Sequence, residues 1–195
     1  MSSLSVSTAE QYEDILYRRG YLYLGAGCFS AVWGKPGRAT VIKLNRRPDD
    51  WLDYAIWAQE QGYAGKQSPR LYGYRTFADG TYIAVVERLD KTFGQLDSSN
   101  TRKYLYTPVR RAIGGYADEG ELKQAEAASP GIADFGLALR GAFRCLDMHD
   151  DNIMLRADGS ICVTDPVSST SSEFRAKASR KRSRDLGIMT ARGNA

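Results

Sequence analysis

The chain has 195 residues, of which 43% are hydrophobic and 26% charged, and its formal net charge is +4. This composition is ordinary for a folded globular protein, and the length suffices for one domain or two small lobes that share a cleft. No apolar run approaches the roughly 18 residues that a membrane-spanning helix needs, so we expect no membrane association.

Two further features bear on the cellular setting. The N-terminus, MSSLSVSTAEQYED, lacks the basic start and the apolar core of a signal peptide. The three cysteines, Cys28, Cys145 and Cys162, are widely spaced and form no CxxC pair. This pattern favours a reduced, cytosolic environment and argues against a structural zinc site.

The first half of the chain predicts an antiparallel sheet with one inserted helix. Aspartates near a helix start can cap its free N–H groups, which places the helix after Pro48. In chain order, the predicted elements are a helix at 9–19, two strands within 21–34, a third strand at 39–44, a helix from 48 to about 61, and a hairpin with strands at 70–77 and 81–89.

The second half predicts helices followed by a short hairpin. The segment 101–128 has weak helical character, and 131–146 carries an apolar stripe typical of a core helix. The strand NIML, a turn at 157–159 and the strand SICVTD come next. From Glu173 onward, seven Lys and Arg against two acidic residues give a net charge of +5 without periodicity. We therefore expect a mobile basic tail on a fold that is otherwise about neutral.

The stretch LGAGCFSAVW at 24–33 places Gly25 and Gly27 between two predicted strands. Glycine lets a backbone approach a phosphate closely, and exposed N–H groups in such a turn can hold anions. Two glycines in a hairpin are equally typical of a plain turn. Ser30 stands where a third glycine would complete the pattern GxGxxGxV.

The strand VIKL places Lys43 inside an apolar segment. Because strand side chains alternate, Lys43 shares a face with Val41 and lies opposite Ile42 and Leu44. Lysine is rarely buried unless it is paired. Two interpretations are open: an edge lysine that faces water, or a cationic group beneath a phosphate cradle formed by the glycine turn.

The segment LDMHDDN at 146–152 holds the only histidine of the chain. Asp147 and Asn152 are five residues apart, and Asp165 follows Asn152 by thirteen. A phosphotransfer site needs a carboxylate that orients a hydroxyl, and an amide oxygen and a second carboxylate that hold Mg²⁺, a hard cation that prefers oxygen ligands. The spacing D-x4-N-x12-D supplies these three groups from one predicted hairpin.

These motifs occur in the order and at the intervals of eukaryotic-type protein kinases. More closely, GAGCFSAVW, VIKL, LDMHDDNIM and VTDPVS resemble the early serine/threonine protein kinase of podophages of the T7 group. The resemblance covers roughly residues 20–170, and its most specific part is DMHxxNIM followed by TDPVS.

The resemblance implies a role for each matching residue of the catalytic segments. Asp147 would orient the substrate hydroxyl, Asn152 and Asp165 would hold Mg²⁺, and Lys43 would contact the α- and β-phosphates of ATP. His149 falls where protein kinases usually have a lysine that meets the γ-phosphate. A loop histidine with structural hydrogen bonds fits the sequence equally well.

The other implied positions surround the nucleotide. The glycine loop would cover its phosphates, and the hinge segment Glu87-Arg88-Leu89 would offer backbone groups to adenine. Glu60 is the candidate acidic partner of Lys43, the alternative being a solvated glutamate. The full set of cofactor-binding candidates is Gly25, Gly27, Phe29, Ser30, Val32, Lys43, Glu60, Glu87 and Leu89.

The sequence also departs from the kinase pattern. Cys145 and Leu146 replace the usual His-Arg before the catalytic Asp, so control by an activation-loop phosphate is less expected. Asp165-Pro166-Val167 replaces the DFG triplet, which keeps the metal ligand and loses the mobile Phe. Thirty residues follow Asp165. We therefore expect a truncated C-lobe, without the second domain that podophage relatives commonly carry.

The sequence thus predicts an α+β protein with a protein kinase-like bilobal fold. Residues 1–89 would form an N-lobe with an antiparallel sheet and one helix, 90–170 a minimal, mainly helical C-lobe, and 171–195 the flexible tail. The resemblance implies a serine/threonine protein kinase that uses ATP and Mg²⁺. Its substrates would be host bacterial proteins of transcription, translation or RNA processing, in the cytoplasm of the host cell.

Two other functions stay open. One is a small-molecule kinase of the aminoglycoside or choline type, which shares Asp-x4-Asn and the later aspartate but generally has a larger helical C-lobe. The other is a non-catalytic kinase-like protein that binds and inhibits a host factor. The hydroxyl-bearing run at 168–172 would be either an autophosphorylation segment or a polar linker. The basic run ASRKRSR would give weak, salt-sensitive contact with nucleic acid or an acidic protein surface.

Overall fold

The computed structural model describes residues 8, 9, 11–89, 91–92 and 105–168. Within these ranges the chain forms a mixed α/β fold whose helices are α1 (Gln11–Arg18), α2 (Trp51–Glu60), α3 (Thr107–Gly114), α4 (Glu119–Ala128) and α5 (Ile132–Ala142). The strands are β1 (Leu22–Ala26), β2 (Ser30–Gly34), β3 (Thr40–Asn45), β4 (Leu71–Thr76), β5 (Tyr82–Glu87), β6 (Lys91–Thr92), β7 (Ile153–Leu155) and β8 (Ile161–Val163). The predicted basic tail and the hydroxyl-bearing run beyond Ser168 lie outside the described residues.

Five strands form one antiparallel sheet in the order β1-β2-β3-β5-β4. The β4–β5 hairpin turns at Asp79, whose carboxylate accepts hydrogen bonds from the backbone N–H (3.0 Å) and the hydroxyl (2.6 Å) of Thr81. In β3, at the centre of the sheet, Lys43 pairs with Val32 of β2 and with Ala84 of β5. The central strand therefore carries the lysine between apolar neighbours.

The two faces of this sheet contact different parts of the chain. Leu44 packs with Leu16 of α1 and with Phe77 in a small core. Val41 belongs to a larger core to which α2, α3, α4 and α5 contribute. Lys43 lies on the side of the larger core, as the alternation of side chains predicts.

Helices α3, α4 and α5 pack against one another, and β6, β7 and β8 form a second, short sheet. α4 begins with a capping box in which Asp118 and Glu121 exchange side chain–backbone hydrogen bonds of 2.8 and 3.0 Å. α5 crosses α3 closely at Gly136, where a Cβ atom would lie 2.6 Å from the Cα of Ile113. Ile153 of β7 joins these helices in the larger core.

The predicted elements occur in the structure in the predicted order, but the sequence does not predict the strand β6, and two predicted helices differ in extent. The helix predicted at 131–146 ends at Ala142, because Phe143 adopts an extended backbone (φ −127°, ψ 131°). The described part of 101–128 forms two helices, divided where Gly115 turns into the left-handed region at a φ of 80°. The division into 1–89, 90–170 and 171–195 stays a prediction. Across the described ranges, no helix has both the length and the apolarity that crossing a bilayer requires.

Candidate active site

The ammonium group of Lys43 and the carboxylate of Asp165 meet although 122 residues separate them. The Nζ atom of Lys43 donates to Oδ2 of Asp165 over 3.1 Å, and the two side chains are 9% and 37% exposed. A nearly buried lysine needs such a partner, whereas the carboxylate stays accessible to solvent. The phosphotransfer interpretation requires Lys43 and Asp165 to lie together, and the structure has this contact.

Backbone hydrogen bonds hold Asp147 and Asn152 beside Asp165. The N–H of Asp147 donates to the carbonyl of Pro166 over 2.8 Å, and the N–H of Thr164 donates to the carbonyl of Asn152 over 2.8 Å. Asp165 lies between these two bonded residues, so the loop and the aspartate are fixed side by side. In addition, Nδ2 of Asn152 donates to the carbonyl of Asp147 over 2.7 Å.

These bonds give Asn152 and Asp147 different surroundings. Asn152 is buried, and because its amide nitrogen is bonded within the loop, its amide oxygen is the atom left to face a cation. The side chain of Asp147 is 50% exposed. The first is suited to a fixed ligand and the second to a group that an external substrate can reach.

His149 lies between two carboxylates of the same loop. Its Nε2 is 3.8 Å from Oδ2 of Asp147, and its Nδ1 is 3.9 Å from Oδ2 of Asp151. The backbone N–H of Asp151 donates to Nδ1 over 3.3 Å. A neutral ring would therefore carry its proton on Nε2, on the side of Asp147. This position agrees both with a phosphate contact and with a structural role.

The glycine loop connects β1 and β2 next to the strand that carries Lys43. Gly25 pairs with Val32 after a register shift in β1, and the N–H of Gly27 donates to the carbonyl of Ser30 over 2.9 Å. A Cβ atom at Gly25 or Gly27 would meet no atom within 4 Å. The glycines thus leave one side of the loop open, while Phe29 at its tip is 42% exposed.

Two residues that the sequence did not assign to the site complete the surroundings of Lys43. The ring of Trp51 lies under the ammonium, with Nζ 4.1 Å from the ring centroid. The carboxylate of Asp49 accepts hydrogen bonds from the Tyr82 hydroxyl (2.9 Å), Nδ2 of Asn45 (2.9 Å) and the backbone N–H of Trp51 (3.2 Å). Burial raises the pKa of Asp49, and the charge of Lys43 opposes the rise.

Glu60, the implied acidic partner of Lys43, lies at the far end of α2, and its pairing with the lysine stays a prediction. Trp51, the first residue of α2, is the part of that helix beside Lys43, and Glu60 is the last residue. At a rise of about 1.5 Å per residue, Glu60 lies roughly 13 Å further along the axis. The side chain of Glu60 is exposed, and Lys43 forms an ion pair with Asp165.

The hinge candidates are placed at the end of β5. The carboxylate of Glu87 is bound to Arg156, with Oε1 2.7 Å from Nε, so it is not left for a nucleotide. The N–H of Glu87 donates to the carbonyl of Arg70 over 3.0 Å. Leu89 follows β5 and is half-buried. Their role at adenine stays a prediction.

Arg156 is the connecting residue that sequence reasoning missed. Besides Glu87, its guanidinium donates to the carbonyls of Lys66 (2.6 Å), Ser68 (3.0 Å) and Ile161 (3.3 Å). It thereby ties the end of β5, the loop before β4 and the β7–β8 hairpin together. Its partners in β5 and in that loop are 69 to 90 residues away, so no local pattern could have predicted them.

A strand lysine opposite an Asp/Asn loop and a second aspartate is an arrangement that phosphoryl-transfer enzymes use. Residues 6–185 match the family model described as Bacteriophage T7 protein kinase 0.7. The chain belongs to this family of phage protein kinases, which confirms the resemblance seen in the motifs. A comparison with curated proteins found none that matches the chain.

Proposed function

We propose that this chain is a serine/threonine protein kinase that uses ATP and Mg²⁺ and has a bilobal, kinase-like arrangement. The observation that carries the proposal is the meeting of Lys43 with Asp165 beside the loop of Asp147 and Asn152. Phosphoryl transfer requires positioning and charge neutralisation rather than covalent chemistry by the protein. These four polar groups can supply both, and the family match supports kinase activity independently.

The nucleotide would lie between the glycine loop and the Asp147 loop. The open side of Gly25 and Gly27 gives room for phosphates, and Lys43 supplies the positive charge on the strand beside that loop. The backbone at Leu89 would serve adenine. The bilobal arrangement is supported by the contact between the sheet and the β7–β8 hairpin at Lys43 and Asp165.

The donor set fits Mg²⁺. The amide oxygen of Asn152 and the carboxylate of Asp165 are hard oxygen ligands, and Mg²⁺ is usually held by one or two protein groups together with phosphates and water. When bound, the ion would neutralise charge on the phosphates. Among the described residues, no group of three or more His, Cys, Asp or Glu could hold a metal by itself. The proposed pair would therefore need phosphate oxygens to complete the site.

Asp147 would orient the attacking hydroxyl of the substrate. Its carboxylate is half-exposed, and its backbone is fixed by the bond to Pro166, so it is both accessible and held in place. His149 lies near enough to contact either this carboxylate or a substrate phosphate. The substrates we propose are host bacterial proteins of transcription, translation or RNA processing, modified in the host cytoplasm.

The experiment compares Asp147→Asn with Asp151→Asn. Both changes remove one carboxylate beside His149 in the same loop, and the side chain of Asp151 is 72% exposed. The purified chain is incubated with γ-labelled ATP, Mg²⁺ and bacterial lysate, and proteins and small molecules are separated. We expect label on serine and threonine of proteins, a loss of roughly 10²- to 10⁴-fold for Asp147→Asn, and activity near wild type for Asp151→Asn.

Other outcomes would decide against the proposal. Label found in sugars or amino alcohols, with none in protein, would favour the small-molecule kinase. No transfer at all by a folded wild-type protein would favour the non-catalytic binding protein. Full activity of Asp147→Asn would remove the role of Asp147.

A further inference from the structure

Trp51, the first residue of α2, contacts both halves of the candidate site. Its ring lies 4.1 Å from Nζ of Lys43, measured to the ring centroid. Its indole N–H donates to the carbonyl of Thr164 over 2.8 Å, and Thr164 directly precedes Asp165. One side chain therefore links the lysine of the sheet to the backbone that carries its carboxylate partner.

A second aromatic donor fixes the same helix to the last residue of β8, which directly precedes Thr164. The hydroxyl of Tyr54 in α2 donates to the carbonyl of Val163 over 2.7 Å. Residues three apart lie on one face of a helix, so Tyr54 and Trp51 donate to consecutive carbonyls, those of Val163 and Thr164 respectively. Both side chains are buried. A shift of α2 along β8 would break the two hydrogen bonds together, so the helix has one register.

The ring of Trp51 is held from the side of the sheet as well. It stacks on Tyr82 with the ring centroids 5.9 Å apart and 14° between the planes. The backbone N–H of Trp51 and the hydroxyl of Tyr82 both donate to Oδ1 of Asp49. The orientation of the ring is thus set by neighbours on both the sheet and β8.

An ion pair alone allows a lysine several orientations, because an ammonium is a compact charge on a flexible stem with three donors. The face of an indole ring adds a second, directional attraction. We propose that Trp51 is a positioning residue, which holds the Lys43 ammonium where it meets Asp165 and fixes Asp165 through Thr164. This role rests on the proposed function, since it concerns the alignment of the proposed nucleotide site. The contacts themselves are measurable without ATP.

The kinetic test uses three variants of α2. Trp51→Leu removes the ring, and Trp51→Phe keeps a ring but removes the N–H. The control Trp57→Leu removes another tryptophan of α2, which packs on Tyr63 and Phe135. Relative to Trp57→Leu, we expect kcat/KM for ATP to fall roughly 10- to 30-fold in Trp51→Leu. A smaller fall, about 3- to 10-fold, is expected in Trp51→Phe.

The spectroscopic test needs no activity. In protein labelled with ¹³C-lysine, the Cε protons of Lys43, assigned through Lys43→Met, should be shifted upfield by the ring current of Trp51. We expect this shift in the wild type and in Trp57→Leu, a reduced shift in Trp51→Phe, and none in Trp51→Leu. A purely structural role of Trp51 elsewhere in the core would not produce it.

Two results would overturn the positioning role. One is a Lys43 signal at the ordinary lysine position in the wild type. The other is a kcat/KM of Trp51→Leu equal to that of Trp57→Leu. If Trp51→Leu does not fold, Trp51→Phe and the wild-type spectrum decide. If the wild type transfers no phosphate, the proposed function fails, and the spectra alone decide on Trp51.

Discussion

Two ion pairs join the large sheet to the β7–β8 hairpin and the residues directly after it. They differ in the solvent exposure of their side chains. In the pair of Lys43 with Asp165 the side chains are 9% and 37% exposed. In the pair of Arg156 with Glu87 they are 11% and 16% exposed, and the guanidinium also binds three backbone carbonyls. The first pair leaves its carboxylate accessible, whereas the second satisfies its groups within the protein.

This difference in exposure indicates that the two ion pairs have separate tasks. An arginine can hold several acceptors at once in fixed directions, which suits a permanent tie. A lysine–carboxylate pair with one half-open partner can exchange that partner for a ligand, and Lys43 keeps the ring of Trp51 and the charge of Asp49 beside it. We infer that the Arg156 pair holds the fold and the Lys43 pair serves the site.

The largest effect on activity is expected at the pair of Lys43 with Asp165, whose carboxylate is accessible and which we call the open pair. Asp165→Asn should lower phosphate transfer by roughly 10²- to 10⁴-fold, because the amide cannot neutralise charge as a carboxylate does. The free energy of unfolding should also fall, by roughly 1–3 kcal/mol, because the nearly buried ammonium of Lys43 keeps the ring of Trp51 but loses its carboxylate partner. Kinetics with labelled ATP and urea unfolding measure the two quantities.

The control for this change is Asp158→Asn, which removes an exposed carboxylate from the turn of the same hairpin. It should leave transfer unchanged. Equal losses in both variants would mean that the hairpin is sensitive to charge in general, and the open pair would then have no special task.

The pair of Arg156 with Glu87, which we call the closed pair, should give the largest effect on stability. Arg156→Met leaves the carboxylate of Glu87 nearly buried without its cation, and breaking a buried pair from one side typically costs about 3–5 kcal/mol. The double variant Arg156→Met with Glu87→Gln removes the stranded charge and should recover part of the loss. Urea unfolding of Arg156→Met, Glu87→Gln, the double variant and the exposed-site control Arg144→Met measures this.

A double variant that is less stable than Arg156→Met by the full effect of Glu87→Gln would contradict the pairing. It would show that the two side chains act independently and that the carbonyl bonds of Arg156 alone hold the hairpin.

The comparison also shows how far the sequence could predict the molecule. Alternation in VIKL places Lys43 on its correct face, and the spacing of Asp147, Asn152 and Asp165 predicts their convergence, because both signals are local or within one hairpin. Arg156 carries no such signal, since three of its acceptors lie 69 to 90 residues away in the chain. Such bonds arise only when the loop before β4 packs on the hairpin.

The acidic surroundings of Lys43 illustrate the same limit. The resemblance implies a glutamate on α2, but the orientation of that helix brings its first residue, Trp51, to the lysine. The DD pair after Pro48 predicts helix capping, and Asp49 does accept the N–H of Trp51. Its second role as a half-buried carboxylate near Lys43 depends on Tyr82, a partner 33 residues further along.

Asp49→Asn tests how the carboxylate beside the Lys43–Asp165 pair affects stability. Burial raises the folded-state pKa of Asp49 above its ordinary value of 3.8, although Lys43 opposes the rise. The folded state therefore favours the protonated form, and the stability that Asp49 contributes is lost as the pH rises from 3.8 through the folded pKa. The asparagine variant lacks this titration.

The expected result is a difference in the free energy of unfolding, variant minus wild type, that rises with pH above 3.8 and then levels off. The amide oxygen introduced by Asp49→Asn can still accept from Tyr82 and Trp51. Oδ1 of Asn45, which is buried without a partner, can turn towards the new amide N–H. Urea unfolding between about pH 4 and 7 measures the slope. A difference that falls with pH would mean that Lys43 outweighs burial.

The smallest expected effect is on the rate of thiol modification. This rate distinguishes the tasks of the two ion pairs without an activity assay. Cys28 and Cys145 are exposed, whereas Cys162 of β8 is buried, and burial raises its pKa to about 12. A thiol reagent at about pH 8 should therefore modify two thiols in the native protein and leave Cys162 unmodified.

Cys162 lies 3.5 Å from Nη2 of Arg156, on the closed side of the hairpin. If the closed pair holds the hairpin against the sheet, Arg156→Met should raise the rate at which Cys162 is modified under native conditions, because local opening becomes easier. Asp165→Asn should leave that rate unchanged, since the open pair does not hold the hairpin. Equal rates in the two variants would mean that both pairs hold the hairpin alike, and the division of tasks between them would not stand.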